Sequence, residues 1–124
     1  MKDGKHVILY VDDDLDLLEV MRHVLEAHGY AMIAAESASA GLKAFHAHKP
    51  DFILVDLMME EVDAGKTLVR DLKAAGNTAP VYLLSSVGDQ MNLSTSPAEL
   101  GFTGLFQKPI APATLLATLK AKIK

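Results

Sequence analysis

The chain has 124 residues, half of them apolar but only 6% aromatic and none tryptophan, enough for one domain with a core of aliphatic side chains and methionine. Its formal net charge of −4, with a pI of about 5.6, disfavours binding to the phosphates of nucleic acid or to an anionic membrane surface. The absence of cysteine removes disulfides, thiol catalysis and cysteine-type zinc sites. No apolar run approaches the roughly 20 residues of a membrane span, and Met1-Lys2-Asp3-Gly4-Lys5 has no signal-peptide pattern, so one cytoplasmic domain over residues 1–124 is expected.

Val7-Ile8-Leu9-Tyr10-Val11 is an unbroken apolar run, as in a strand buried on both faces of a parallel sheet. It stops at Asp12-Asp13-Asp14. From Leu15 the period changes: Leu18, Met21 and Leu25, with Leu17 and Val24 beside them, recur at helical spacing. Asp14 suits the N-cap, and Gly29 the position just past the helix. Tyr30 to Ala35 reads as a second strand. Ser37 to His48 reads as a helix with Leu42 and Phe45 inward, closed before Pro50. Phe52-Ile53-Leu54-Val55 is another buried strand and ends on Asp56. Gly65 to Ala75 is a helix carrying Leu68, Val69 and Leu72, closed by Gly76. Val81-Tyr82-Leu83-Leu84 is a strand that runs into Ser85-Ser86.

Between Ser86 and Gly101, the residues Gly88, Asn92, Ser94, Thr95, Ser96 and Pro97 discourage a long helix. Ser96-Pro97-Ala98-Glu99 reads as a capping box. The prediction is a long loop and then about one helical turn, reaching Leu100. Leu105-Phe106-Gln107 is a short strand ending at Lys108-Pro109. Pro112 to Ile123 is the last helix, with Leu115, Leu116, Leu119 and Ile123 on its apolar face.

Strands alternating with helices predict right-handed crossovers and an α/β fold around a parallel sheet. In such sheets ligands bind at the carboxyl ends of the strands, which here gathers Asp12, Asp13, Asp56, Ser85 and Lys108 at one edge. Three neighbouring carboxylates repel one another, and a divalent cation relieves the repulsion. An all-oxygen site with few protein ligands suits Mg²⁺. The cation and the Lys108 ammonium can neutralise phosphoryl oxygens, and the Ser85 hydroxyl can donate to a third. A carboxylate facing them is a nucleophile for phosphoryl transfer.

The segments Val11-Asp12-Asp13, Leu54-Val55-Asp56-Leu57-Met58-Met59, Leu84-Ser85-Ser86 and Lys108-Pro109 together resemble the receiver domains of response regulators, in order and spacing, over essentially the whole chain. The resemblance implies a flavodoxin-like, CheY-like (βα)5 fold, a five-stranded parallel sheet in the order 2-1-3-4-5, here with a shortened or irregular fourth helix. It implies Asp56 as the phosphoacceptor and Asp13 as a direct metal ligand. Asp12 would bind the metal through water, and Met58 would contribute its backbone carbonyl. Ser85 and Lys108 would hold the phosphoryl group, and the Lys108–Pro109 peptide would be cis.

The chain departs from the family at three places. Glu60 stands where Pro is common, Asp63-Ala64 where Asp-Gly is common, and Leu105 where the aromatic switch residue is common. A differently shaped loop after Asp56 is therefore expected, with Gly65 supplying flexibility. Phe106 does not replace the aromatic, because adjacent strand residues face opposite ways.

His46 and His48, two apart on a helix, do not share a face and are not read as a metal pair. Met58 and Met59, beside carboxylates, are read as backbone ligand and core filler. Lys120, Lys122 and Lys124 read as a solvated face.

The leading reading is a phosphorylation switch: a histidine kinase or phosphotransfer protein donates the phosphoryl group, and a downstream protein target responds. A monomer is expected, with no direct contact to nucleic acid or membrane. The domain assists its own phosphorylation and dephosphorylation but is not otherwise an enzyme. The chain stops after the last helix, and no output domain is expected within it. The alternative is a phosphorylation-independent interaction module on the same fold. A magnesium-dependent phosphohydrolase would need an aspartate two residues past Asp56, where Met58 stands.

Overall fold

The computed structural model describes residues 5–56, 64–86, 103–108 and 111–123, with backbone alone at 56, 64–67, 69, 85, 86, 105, 107 and 108. The elements run β1 (Val7–Val11), α1 (Leu15–Ala27), β2 (Ala31–Ala35), α2 (Ala38–His48), β3 (Phe52–Asp56), α3 (Ala64–Ala74), β4 (Val81–Ser86), β5 (Gly104–Lys108) and α4 (Pro112–Lys122). All five strands are parallel, in the order β2-β1-β3-β4-β5. The predicted loop and short helix between Ser86 and Gly101 lie outside the described residues, as do Met58, Glu60 and Pro109.

Parallel strands need crossovers, and the helices of those crossovers cover both faces of the sheet. The continuous apolar runs follow from this: every residue of β1 is buried. Alternate residues serve opposite layers. Leu9, Val11, Ile53, Val55, Val81 and Leu83 pack with Leu68 and Leu72 of α3, and Leu42 and Phe45 of α2 lie partly buried on them. Ile8, Tyr10, Phe52, Leu54, Tyr82, Leu84 and Phe106 pack with Leu18, Met21 and Leu25 of α1 and Leu115 and Leu119 of α4.

The helix ends are set by local hydrogen bonding. The Asp14 carboxylate accepts from the Leu17 N–H and caps α1, and the Ser37 hydroxyl accepts from the Ala40 N–H and caps α2. Gly29, at φ +87°, closes α1: its N–H donates to the Glu26 carbonyl, and the Tyr30 N–H donates to Leu25. Gly76, at φ +90°, repeats this after α3 with the carbonyls of Lys73 and Leu72. This pair of bonds answers the last open carbonyls of a helix and requires a left-handed residue that glycine adopts without strain. It also corrects one boundary. Tyr30 is not on β2, because its N–H closes the helix; the strand begins at Ala31.

Three aromatic rings cross the sheet under α1 and α4. Phe52 stacks on Tyr82, and Tyr82 on Phe106, each with centroids 5.0 Å apart. Gly104 is paired with Tyr82 across β4 and β5, and a Cβ there would sit 2.6 Å from Tyr82 Cε2. Because the ring is held between two others, it has no room to retreat. Gly104→Ala is expected to cost about 1–3 kcal/mol by overpacking, read as a lower urea midpoint with an unchanged slope.

Candidate functional site

The backbone register builds one edge of the sheet into a site. Val11 of β1 pairs with Val55 of β3, so Asp12 and Asp56, each one residue further on, begin the same rim. Asp56 in turn pairs with Leu84 of β4, which sets Ser85 one step beyond it on the next strand. Ser86 pairs with Lys108 at the end of β5. Neighbouring strands are ~4.8 Å apart, so Asp12, Asp56, Ser85 and Lys108 span four adjacent strands, roughly 14 Å of rim, although 96 positions separate the first from the last. The side chains of Asp56, Ser85 and Lys108 are outside what is described.

Asp12 and Asp13 are described in full and differ sharply. Asp12 is fully buried, the one buried charged residue among those described, while Asp13 is exposed. The Asp12 N–H donates to the Ala35 carbonyl at 2.9 Å, continuing the β1–β2 ladder one step past the strand. Its Oδ1 accepts from the Asp14 N–H at 2.9 Å. A buried carboxylate is costly unless it is hydrogen-bonded or faces positive charge. A carboxylate at the end of β1, with a second, solvent-facing one beside it, is an oxygen donor set of the kind Mg²⁺ takes. Asp56, next along the rim, adds a third carboxylate by backbone position. Among the described residues no three His, Cys, Asp or Glu side chains are grouped for a metal, and Met58 lies outside them.

Other candidates fall elsewhere. His46 and His48 are both exposed on α2, and Lys120 and Lys122 are exposed on α4 as expected. Phe106 is buried on the α1–α4 side against Tyr82, while Leu105 is paired with Leu83. One feature escaped the sequence reading. Leu15 and Val20 of α1 are 58% and 56% exposed, the exposed large apolar side chains among the described residues. Leu15 borders a groove of about 660 Å³ shared by Leu18, Glu19 and Arg22 of α1 with Ala35, Ser37 and Ala40. The signal was available: neither Leu15 nor Val20 lies on the Leu18–Met21–Leu25 stripe that faces the core.

The fold and the rim define a doubly wound α/β domain with aspartates at the ends of the adjacent strands β1 and β3. The sequence matches the model of the response regulator receiver domain over residues 8–120, and the chain belongs to that family. Transcriptional regulatory protein CseB of Streptomyces coelicolor is 32% identical over 124 residues, all of this chain and 51% of its own. Response regulator MprA of Mycolicibacterium vanbaalenii is 29% identical over 117 residues, 94% of this chain and 50% of its own. The chain thus spans about half the length of the curated relatives it matches.

Among solved structures, a putative response regulator from Chloroflexus aurantiacus superposes with a TM-score of 0.80 at 27% identity, over 95% of this chain and 97% of that one. Chemotaxis protein CheY4 of Vibrio cholerae shares the fold, with a TM-score of 0.84 at 24% identity over 97% of this chain and 100% of that one. The chain is therefore a receiver domain of two-component signalling. Such domains interact with histidine kinases, and the family generally uses Mg²⁺. Among the described residues no helix is long and apolar enough to cross a membrane.

Proposed function

We propose that this domain is a phosphorylation switch whose phosphoacceptor is Asp56, with a histidine kinase or phosphotransfer protein as donor. The observation that carries the reading is the register, which aligns Asp12, Asp56, Ser85 and Lys108 along four adjacent strand ends. A Mg²⁺ ion held by Asp12, Asp13, Asp56 and the Met58 carbonyl would supply positive charge against the phosphoryl oxygens. An Asp56 oxygen attacks phosphorus while the bond from phosphorus to the donor's imidazole nitrogen breaks, its electron pair staying on nitrogen. The Lys108 ammonium and the Ser85 hydroxyl stabilise the oxygens in flight, a task of positioning and charge neutralisation. The output is a changed affinity for a downstream protein, through repacking near Ser85, β5 and α4.

Intact-protein mass spectrometry after incubation with acetyl phosphate tests this. One phosphoryl adduct that requires Mg²⁺ is expected. Folded protein that takes no adduct at saturating Mg²⁺ would favour the phosphorylation-independent module instead.

The exposed pair on α1 bears on the donor. Leu15 and the groove beside it lie by the ends of β1 and β2, on the rim that carries Asp56. A protein donor that reaches Asp56 has apolar surface to cover there, which a small phosphodonor does not. Leu15→Gln is expected to slow transfer from a phosphohistidine protein about tenfold, the worth of burying one leucine. The rate with acetyl phosphate should stay within about twofold of wild type. Equal slowing with both donors would remove α1 from the docking surface.

A further inference from the structure

The three aspartates after β1 form a relay of backbone bonds in which the third has no part in the switch as proposed so far. Asp12 is pinned on one side by its N–H to the Ala35 carbonyl and on the other by its Oδ1, which accepts the Asp14 N–H at 2.9 Å. Asp14 is pinned in turn. Its own Oδ1 accepts the Leu17 N–H at 3.1 Å, and its carbonyl accepts the Leu18 N–H at 3.0 Å. Leu18 is a core residue at 4% exposure, so the first turn of α1 is anchored in the core. Asp14 has extended backbone, φ −85° and ψ 98°, as an N-cap requires. Asp13, exposed, is the single residue between these two fixed points.

From this we infer that Asp14 is a positioning residue for the metal-binding pair, acting through its cap rather than its charge. The inference rests on the reading of Asp12 and Asp13 as metal ligands. The cap holds the Asp14 backbone where its N–H meets Asp12 Oδ1, which fixes the Asp12 carboxylate and the direction in which the Asp13 backbone leaves it. Without the cap the first turn of α1 loses a backbone bond, and the Asp14 N–H is free to swing away from Asp12. The orientation of both ligands is then lost before any metal arrives. Partners that orient metal ligands commonly contribute tenfold or more to affinity. Asp14 itself is exposed, where a bare charge is largely screened.

The test is Mg²⁺ titration by calorimetry on the purified domain, with Mg²⁺-free thermal melts and amide hydrogen exchange alongside. Asp14→Ala is expected to weaken Mg²⁺ binding about tenfold and to speed exchange at the Leu17 amide. Asp14→Asn keeps an equally good cap without the charge, and should stay within about twofold of wild type. Asp14→Ser keeps a cap on a shorter side chain and serves as a second rescue should the alanine variant fold poorly. If Asp14→Asn binds as weakly as Asp14→Ala, the residue acts by charge and the inference falls. It falls too if Asp14→Ala changes only the melt and leaves Mg²⁺ affinity unmoved. Asp13→Asn is the control for the reading beneath. If that variant binds Mg²⁺ as wild type does, it is the metal-ligand assignment that fails, whatever Asp14 does.

Discussion

Asp56→Asn is expected to abolish the Mg²⁺-dependent phosphoryl adduct while leaving the fold intact. The amide has nearly the shape of the carboxylate but no anionic oxygen to attack phosphorus, so the loss is of the nucleophile itself. The position makes the prediction sharp. Asp56 ends β3, between β1 and β4, with its backbone still paired to Leu84, and the strand behind it is wholly buried from Phe52 to Val55. The substitution therefore changes one group at a rim without touching the core. Mass spectrometry on wild type and variant, each with and without Mg²⁺, reads the outcome directly. An adduct that persists at full stoichiometry on Asp56→Asn would move the phosphoacceptor elsewhere on the rim, with Asp13 the next suspect.

Phe52→Ala is expected to have the largest effect on stability, about 3–5 kcal/mol. The ring is fully buried and lies stacked on Tyr82 with 18° between the planes. Its removal leaves a cavity beneath α1 and α4 and frees Tyr82 from one of its two neighbours. Against a total stability of roughly 5–15 kcal/mol, the midpoint should fall by on the order of 10 °C, read by thermal or urea unfolding. Phe52 begins β3 and Asp56 ends it, so the variant that remains folded at low temperature should still take the phosphoryl group. A loss under 1 kcal/mol would mean that the ring ladder contributes little beyond surface burial.

Much of this protein was legible in its residues alone. The alternation of apolar runs with helical stripes located every described element to within a residue or two, because a strand buried on both faces and a helix buried on one leave different periods. Asp14 and Gly29 marked the ends of α1 because capping is a property of a few neighbouring residues. The candidate set of Asp12, Asp13, Asp56, Ser85 and Lys108 was nameable in advance because each stands where a strand stops.

The tertiary structure decided what depends on residues far apart in the chain. Nothing in the run Val11-Asp12-Asp13 says that Asp12 is enclosed and Asp13 open; that follows from β1 lying between β2 and β3, so that the chain leaves the sheet only after Asp12. Tyr30 looked like strand and is not, since its N–H closes the preceding helix. Leu15 and Val20 are exposed, because only the Leu18–Met21–Leu25 stripe of α1 meets the sheet. Composition and period determine which elements form and where they end. Burial, register and the company each carboxylate keeps are set by the packing of strands that the chain brings together from its whole length.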